Sequence, residues 1–480
     1  MTAAALLSAE DTRTATVAST TVDIREDYSQ YLTPYQTALL ATSMMSDSIG
    51  PDRFKCLDLG AGTGILSVAL AERYDNNVFV DGVEMDPRLA AIYDAELNRL
   101  GIAHKTINAD ALSVLIENDY DRVILNPPYK KMPADDPRQS SLPVRSPNLY
   151  SAFLMLAIKA LKPGGQCVAI VPRSWMNGQY FQAFREWMLN SVSIDALHIY
   201  GSRTEIFSDT DVLQETMLLA ISKDRQKAEV RVSESQDKTD EQIVNSYPFS
   251  SLVDEAGDKT VRVRPVESAM LGKLKTLTEE GLCASTGKVV DFRSRDVLSF
   301  DFKEGLRRLI YSCNFSDDGF KHPVEEGKAQ WIDCSAEKQR KQLIGPGSFV
   351  VVKRFSSKEE RRRVKAYPLN LPEAEALENH LNFIHAGTPR KTVPMTELEA
   401  NGLSLWLRST QIEEWFRSRS GSTQVNASDL NAMPTPSRLS LSLLGEQWRQ
   451  GISQEEVDAQ CRSLMMYLVT PSRLKVPSSF

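Results

Sequence analysis

An α/β fold with a doubly wound, Rossmann-like, mostly parallel sheet is predicted for residues 28–223 by three observations. Short apolar runs alternate with helix-patterned segments, a glycine-rich turn follows the first run, and polar residues punctuate the end of each run. The first run, Phe54-Lys55-Cys56-Leu57-Asp58-Leu59, ends in Gly60-Ala61-Gly62-Thr63-Gly64, after which Ile65 to Arg73 carries a helical pattern. The second, Val78 to Glu84, precedes a helix from Pro87, a favourable first helical position, to Leu100, with Gly101 just past its end. Lys105-Thr106-Ile107 is a third strand leading to Asn108-Ala109-Asp110, and Arg122 to Leu125 a fourth leading to Asn126-Pro127-Pro128-Tyr129. Tyr150 to Leu161 reads as a helix that Pro163-Gly164-Gly165 stops ahead of a fifth strand, Cys167 to Val171. In such a sheet, helices cover both faces and ligands bind beyond the carboxyl ends of the strands, where this polar punctuation falls.

Residues 1–27 are read as an N-terminal extension, with order and disorder both open. The polar stretch 224–246 is an exposed strand pair or a connector, and the domain boundary is placed there. In 247–480 the apolar runs are short and irregular, Ser348 to Phe355 being the clearest strand, so a mixed α+β second domain is expected.

The 480 residues, 42% apolar and 25% charged, have the profile of a soluble chain of two or three domains. No apolar run approaches the ~18–20 residues of a membrane span, and the N-terminus lacks the basic start of a secretory signal. A cytoplasmic protein without membrane contact is expected. Six cysteines and five histidines are dispersed, which suggests neither a disulfide framework nor a zinc site, and no metal is expected. The net charge of −7 is uneven: 19 basic against 27 acidic residues in 1–223, but 37 against 36 in 224–480. Within the latter, 331–365 holds ten basic residues and four acidic ones, a candidate phosphate-facing surface. A solvated, salt-bridged turn at Glu359 to Arg363 is the competing reading.

The glycine triplet differs by one residue from the dinucleotide form, and the Lys-Ser/Thr pair of a P-loop is absent, so nicotinamide and nucleotide triphosphates are disfavoured. Glu84, 20 residues after Gly64, suits a ribose diol, and Asp110 suits an adenine exocyclic amine; singly, each also reads as a solvated strand-end carboxylate. In Asn126-Pro127-Pro128-Tyr129 the two prolines remove backbone donors and fix the chain, leaving the carbonyls and the Asn126 oxygen to face a ligand.

With these residues the chain resembles class I S-adenosylmethionine-dependent methyltransferases, and among them the DNA adenine-N6 enzymes. Tyr31-Leu32-Thr33-Pro34-Tyr35-Gln36, then the glycine loop, then Asn-Pro-Pro-Tyr, then a C-terminal recognition region resembles the gamma arrangement of TaqI-like enzymes. Residues 353–365 and Ser420 to Leu430 resemble type II restriction-modification methyltransferases of the PstI/BsuBI kind. The resemblance implies that Thr33, Asp58, Gly60 and Gly62 hold the methionine part of S-adenosylmethionine, Glu84 its ribose and Asp110 its adenine, with Met85 packing on the adenine ring. It implies that the Asn126 oxygen and the Pro127 carbonyl accept the hydrogens of an adenine amine, at a corner that Pro128 helps to stiffen. Extruding that base costs a few kcal/mol, comparable to the ~1–3 kcal/mol of an aromatic stack. Tyr129 would stack on one face and Phe207 on the other, although Phe207 reads equally as a core aromatic. Lys353, Arg354, Arg361, Arg362 and Arg363 would meet the DNA backbone, and Thr423, Gln424 and Asn426 base edges or phosphates. A turn followed by a helix starting at Ser428 or Asp429 competes for the last group.

The implied activity is methyl transfer from S-adenosylmethionine, leaving S-adenosylhomocysteine, to the N6 amine of an adenine in double-stranded DNA. The implied role, for a monomer, is protection from a partner restriction endonuclease, with CTGCAG as the implied target. Glu326-Gly327-Lys328 mimics a nuclease Glu-x-Lys only faintly, and a fused endonuclease is discounted. Two rivals remain. Protein glutamine N5-methyltransferases also carry Asn-Pro-Pro-Tyr but generally lack a large C-terminal domain, and a non-catalytic sequence-specific DNA-binding protein would not need the intact glycines and carboxylates.

Overall fold

The computed structural model describes residues 3–20, 31–47, 53–200, 216–235, 243–254, 257–265, 271–316, 319–324, 327–355, 362–419 and 424–469. Phe207, Arg361, Thr423 and Glu326 lie outside the described residues. By internal contacts the chain divides into two compact units, 1–265 and 266–480.

The first unit is built on β1 (Phe54–Leu59), β2 (Val78–Glu84), β3 (His104–Asn108), β4 (Tyr120–Leu125), β5 (Leu161–Pro172), β6 (Ser193–Tyr200), β7 (Thr216–Ser222), β8 (Glu229–Ser235) and β9 (Ile243–Pro248). They form one sheet in the order β3-β2-β1-β4-β5-β7-β6-β8-β9. The β1–β5 strands are parallel, whereas β7 is antiparallel to both of its neighbours. Strand order reverses between β1 and β4, the switch point at which doubly wound sheets open a crevice.

Alternate side chains explain why these strands read as continuous apolar runs. Leu57, Leu59, Val123, Leu125, Cys167 and Ala169 enter one core, and Cys56, Ile124, Val168 and Ile170 the other. A sheet buried on both faces needs apolar residues at both parities. Helices α1 (Ala3–Ser19), α2 (Tyr35–Ser43), α3 (Ile65–Arg73), α4 (Pro87–Arg99), α5 (Leu149–Ala160) and α6 (Gln182–Ser191) belong to this unit. Asp86 caps α4 by accepting from the Arg88 N–H, and Pro87 occupies its first turn. Gly82, in β2, is required by close approach: a Cβ there would lie 2.2 Å from Cζ of Tyr93, a fully buried residue of α4.

One expectation is corrected and two open readings are narrowed. The N-terminal extension is helical from Ala3 to Ser19, because Ala5, Leu6 and Ala9 join the core that holds Ala38, Ala41 and Leu66. Strand β5 begins at Leu161 rather than after Pro163-Gly164-Gly165, since a register shift against β4 between Tyr120 and Arg122 accommodates the extra residues. Of the two readings of 224–246, an exposed strand pair or a connector, the structure has paired strands in the sheet: β8 pairs with β6 and β9 with β8, and the contact boundary falls after Pro265. Val230 and Val232, alternating with polar residues, give β8 a buried face.

The second unit, α+β, centres on β10 (Leu282–Thr286), β11 (Gly347–Lys353), β12 (Ala366–Leu371), β13 (Leu381–Thr388) and β14 (Lys391–Val393), in the order β10-β13-β11-β12 with β14 beside β13. Helix α7 (Glu397–Arg408) packs on this sheet, followed by α8 (Thr410–Arg419), α9 (Ala427–Asn431), α10 (Arg438–Gly445) and α11 (Gln454–Val469). Thr396 and Glu399 close a capping box at the start of α7.

Candidate active site

The carboxyl ends of β1, β2, β3 and β4 converge on one pocket, where about 620 Å³ of space, open solvent included, is free of protein atoms. Gly60, Gly62, Glu84, Met85, Asp110 and Asn126 line it together with Pro128. Residues from separate strand ends are thus brought together.

The glycine loop is fixed from two sides. Gly60, Gly62 and Gly64 all have positive φ, and a Cβ on Gly62 would lie 3.0 Å from the Leu32 side chain, so glycine keeps both the turn and the space. Glu84 spans the loop: its Oε2 accepts from the Gly62 N–H at 2.9 Å and its Oε1 from the Asp86 N–H at 2.8 Å. Burial raises the Glu84 carboxyl above its usual range, opposed by those two backbone N–H groups.

Asp58 lies fully buried and does not line the pocket. Its Oδ2 accepts from Ser67 Oγ at 2.7 Å, while Oδ1 has no hydrogen-bond partner. Burial pushes this carboxyl up to about 7; the Ser67 hydroxyl lowers it and the nearby Glu84 raises it further. Since the folded value exceeds the unfolded one, Asp58's contribution to stability is fully present below the unfolded value of 3.8 and is lost as pH rises through about 7. The cofactor-free protein is expected to lose melting temperature between about pH 4 and about pH 7, with no further loss from this group above that, and Asp58→Asn to flatten that slope. Parallel melting profiles for the two proteins would contradict the assignment.

The geometry at Asn126 is set by the N-terminal segment. Asn126 Nδ2 donates to the Tyr31 carbonyl at 2.7 Å and to Thr33 Oγ1 at 3.0 Å, which leaves Oδ1 as the side chain's acceptor. Thr33, 4% exposed, therefore holds Asn126 and does not line the pocket, unlike the methionine-binding place expected for it. Helix α1 in turn holds this segment. Glu10 accepts from the Tyr35 N–H at 3.1 Å, and Arg13, itself paired with Glu10, donates to the Leu32 carbonyl at 3.5 Å.

Tyr129 is turned inward. Its hydroxyl lies 3.1 Å from Asn126 Oδ1 and 3.2 Å from the Ile170 carbonyl, and burial pushes the phenol up, so it stays a donor. Its ring stacks on Tyr31 at 6.1 Å and meets Tyr150 edge-on at 6.3 Å. Tyr129 itself does not line the pocket; the Tyr31 side of its ring is where the expected base would have to stack. Met85, by contrast, is 56% exposed at the pocket. Asp110 caps a short turn through the Leu112 N–H and receives a second bond from Arg138 at 2.9 Å. Sequence reasoning missed Tyr31, Ser67 and Arg138; only Tyr31, next to the Thr33-Pro34 pair, carried a local signal.

In the second unit most of the side chains expected at DNA are bonded internally. Lys353 Nζ donates to the Phe315 carbonyl, and Arg354 to the Asn379 carbonyl and Gln424 Oε1. Arg362 donates to the Arg408 carbonyl and Thr410 Oγ1. Arg363 is 3% exposed, its guanidinium over the Phe416 ring, and is too buried to meet a phosphate. Asn426 caps α9, its N–H and side chain both bonded to Asp429, which is the competing helix-start reading. Arg354, Arg362 and Arg363 of the charge cluster thus staple chain segments, whereas Lys338, Arg340 and Lys341 are exposed. Among the described residues no group of metal-ligating side chains is assembled, and no helix is long and apolar enough to cross a membrane.

Comparison with known proteins places this geometry in a family. A model of the Eco57I restriction-modification methylase matches residues 72–207. The type II methyltransferase M.BsuBI of Bacillus subtilis is 32% identical over 92% of this chain and 95% of its own length. M.PstI of Providencia stuartii is 30% identical over 90% of this chain and 91% of its own. The solved structure of the type IIL restriction-modification enzyme MmeI in complex with DNA shares the fold, with a TM-score of 0.55 and 11% identity over 92% of this chain and 73% of that one. Matched at this identity along nearly its whole length, the chain belongs to the type II restriction-modification methyltransferases of the M.BsuBI and M.PstI kind, on a class I S-adenosylmethionine-dependent methyltransferase fold.

Proposed function

We propose that the protein transfers a methyl group from S-adenosylmethionine to the N6 amine of an adenine extruded from duplex DNA. The observation that carries this reading is the Asn126 amide, which lines the glycine-lined pocket and is fixed through its Nδ2 by the Tyr31 carbonyl and Thr33 Oγ1. When bound, S-adenosylmethionine supplies an electrophilic methyl group on its sulfonium. The residues present fit such a group. Gly60 and Gly62 leave a cradle without side chains, Glu84 supplies carboxylate oxygens for the ribose, and Asp110 an acceptor for the adenine amine.

Toward the substrate, Asn126 Oδ1 and the Pro127 carbonyl would accept the two amine hydrogens and direct the nitrogen lone pair at the methyl group. Asn126 Oδ1 has a second lone pair beyond the one facing Tyr129. The protein's share of catalysis is then positioning, together with acceptors placed where positive charge develops on nitrogen. Tyr129 stacks on the base once Tyr31 yields its place on the ring. Target recognition falls to the second unit, and the family match supports a duplex DNA substrate, a partner restriction endonuclease and, by resemblance to the PstI/BsuBI kind, the site CTGCAG.

Incubation with methyl-labelled cofactor and either duplex DNA or a peptide-chain release factor tests the reading. Label is expected on DNA. Label on the release factor alone would overturn it in favour of glutamine methylation.

A further inference from the structure

We infer that Arg138 is a positioning residue that makes the cofactor pocket select adenine, acting through the Asp110 carboxylate. The inference rests on the placement of the cofactor's adenine at Asp110 proposed above. Asp110 lines the pocket and Arg138 does not. One carboxylate oxygen, Oδ1, accepts from the Leu112 N–H at 3.0 Å, and the other, Oδ2, from Arg138 Nη1 at 2.9 Å. Two bonds on opposite oxygens fix the carboxylate plane; the Leu112 bond alone would leave it free to turn. Each oxygen keeps a further lone pair for a ligand.

Arg138 is itself held. Its Nε and Nη2 donate to the two oxygens of Asp136 at 3.0 and 2.7 Å, so its guanidinium is divided between two carboxylates and reaches the ligand only through Asp110. The segment that carries it begins where Asn126-Pro127-Pro128-Tyr129 ends and is pinned shut. Leu149 donates to the Lys130 carbonyl, Met132 to the Pro147 carbonyl, and Gln139 bonds the Ser146 backbone in both directions. An ion pair this exposed, with the Arg138 side chain at 32%, adds little to folding, so its removal is expected to spare the fold.

The chemistry of selection follows from the carboxylate being an acceptor only. Adenine presents an N–H donor at position 6, whereas hypoxanthine presents a carbonyl oxygen there. A fixed Asp110 bonds the first and repels the second, and an Asp110 free to rotate away does neither strongly.

Calorimetric binding of S-adenosylhomocysteine and its inosyl analogue, which needs no turnover, tests this on the full chain. Wild type is expected to prefer the adenosyl compound by about a hundredfold, Arg138→Met by less than about tenfold, and Arg138→Lys to recover most of the preference. Melting temperatures are measured alongside. A hundredfold preference retained in Arg138→Met overturns the role of Arg138 while leaving the adenine at Asp110. A wild type with no preference overturns the placement itself, and with it the inference. Equal weakening of both ligands with a lowered melting temperature would make Arg138 merely structural and overturns it too.

Discussion

Asn126→Ala is expected to lower kcat by a factor of about a hundred to a thousand while leaving the affinities for S-adenosylhomocysteine and duplex DNA within about threefold of wild type. In the proposed reaction the amide oxygen acts where charge develops during transfer, so its loss would fall on the transition state and not on ground-state binding. The side chain is held by Tyr31 and Thr33 rather than holding the fold, and Tyr129 retains the Ile170 carbonyl as a partner when Asn126 is gone. Single-turnover rates together with calorimetry separate the two effects. Turnover close to wild type would remove Asn126 from the reaction.

The second large effect is at Glu84. Its two oxygens bond the N–H groups of Gly62 and Asp86, on either side of the loop crossing, and the residue is 9% exposed. Glu84→Ala leaves two N–H groups without this partner and removes the proposed ribose acceptor. Charge-assisted bonds of this kind contribute about 1.5–3 kcal/mol each. Cofactor affinity is expected to fall by at least about a hundredfold, with a lowered melting temperature, and Glu84→Gln, which keeps one acceptor oxygen, to lose less. Cofactor affinity in Glu84→Ala within about threefold of wild type would contradict the ribose assignment.

The catalytic half was legible because its chemistry sits at strand ends. A strand buried on both faces announces itself as an apolar run, and the residue that follows it is placed at the crevice by the sheet alone. Gly60, Gly62, Glu84, Asp110 and Asn126 were found in this way, and all five line one pocket. Contacts between distant segments were not legible. Nothing in Arg138 distinguishes it from other surface arginines until the 130–148 segment folds back over Asp110, and the α1 contacts to residues 31–35 depend on tertiary packing of a helix with weak amphipathic patterning. Thr33 was found for a resemblance, but its bond to Asn126 was not legible, because spacing identifies a segment and not which way its hydroxyl turns.

The second unit was less legible for a related reason. Charge counted along the sequence cannot separate an arginine that faces solvent from one that staples two segments. Arg362 and Arg363 staple, reaching α7, α8 and their junction. Asn426 was read for its amide, whereas a residue of that type ahead of a short helix serves first as a cap.

Nucleoside composition of duplex DNA after incubation with the purified protein and S-adenosylmethionine, read by mass spectrometry and mapped to sequence, bears most directly on the acceptor pair at Asn126 and Pro127. The expected product is N6-methyladenine, at the adenine of CTGCAG. A methylated cytosine in its place, or DNA that gains no methyl group while the cofactor is bound, would contradict an adenine amine seated at that corner.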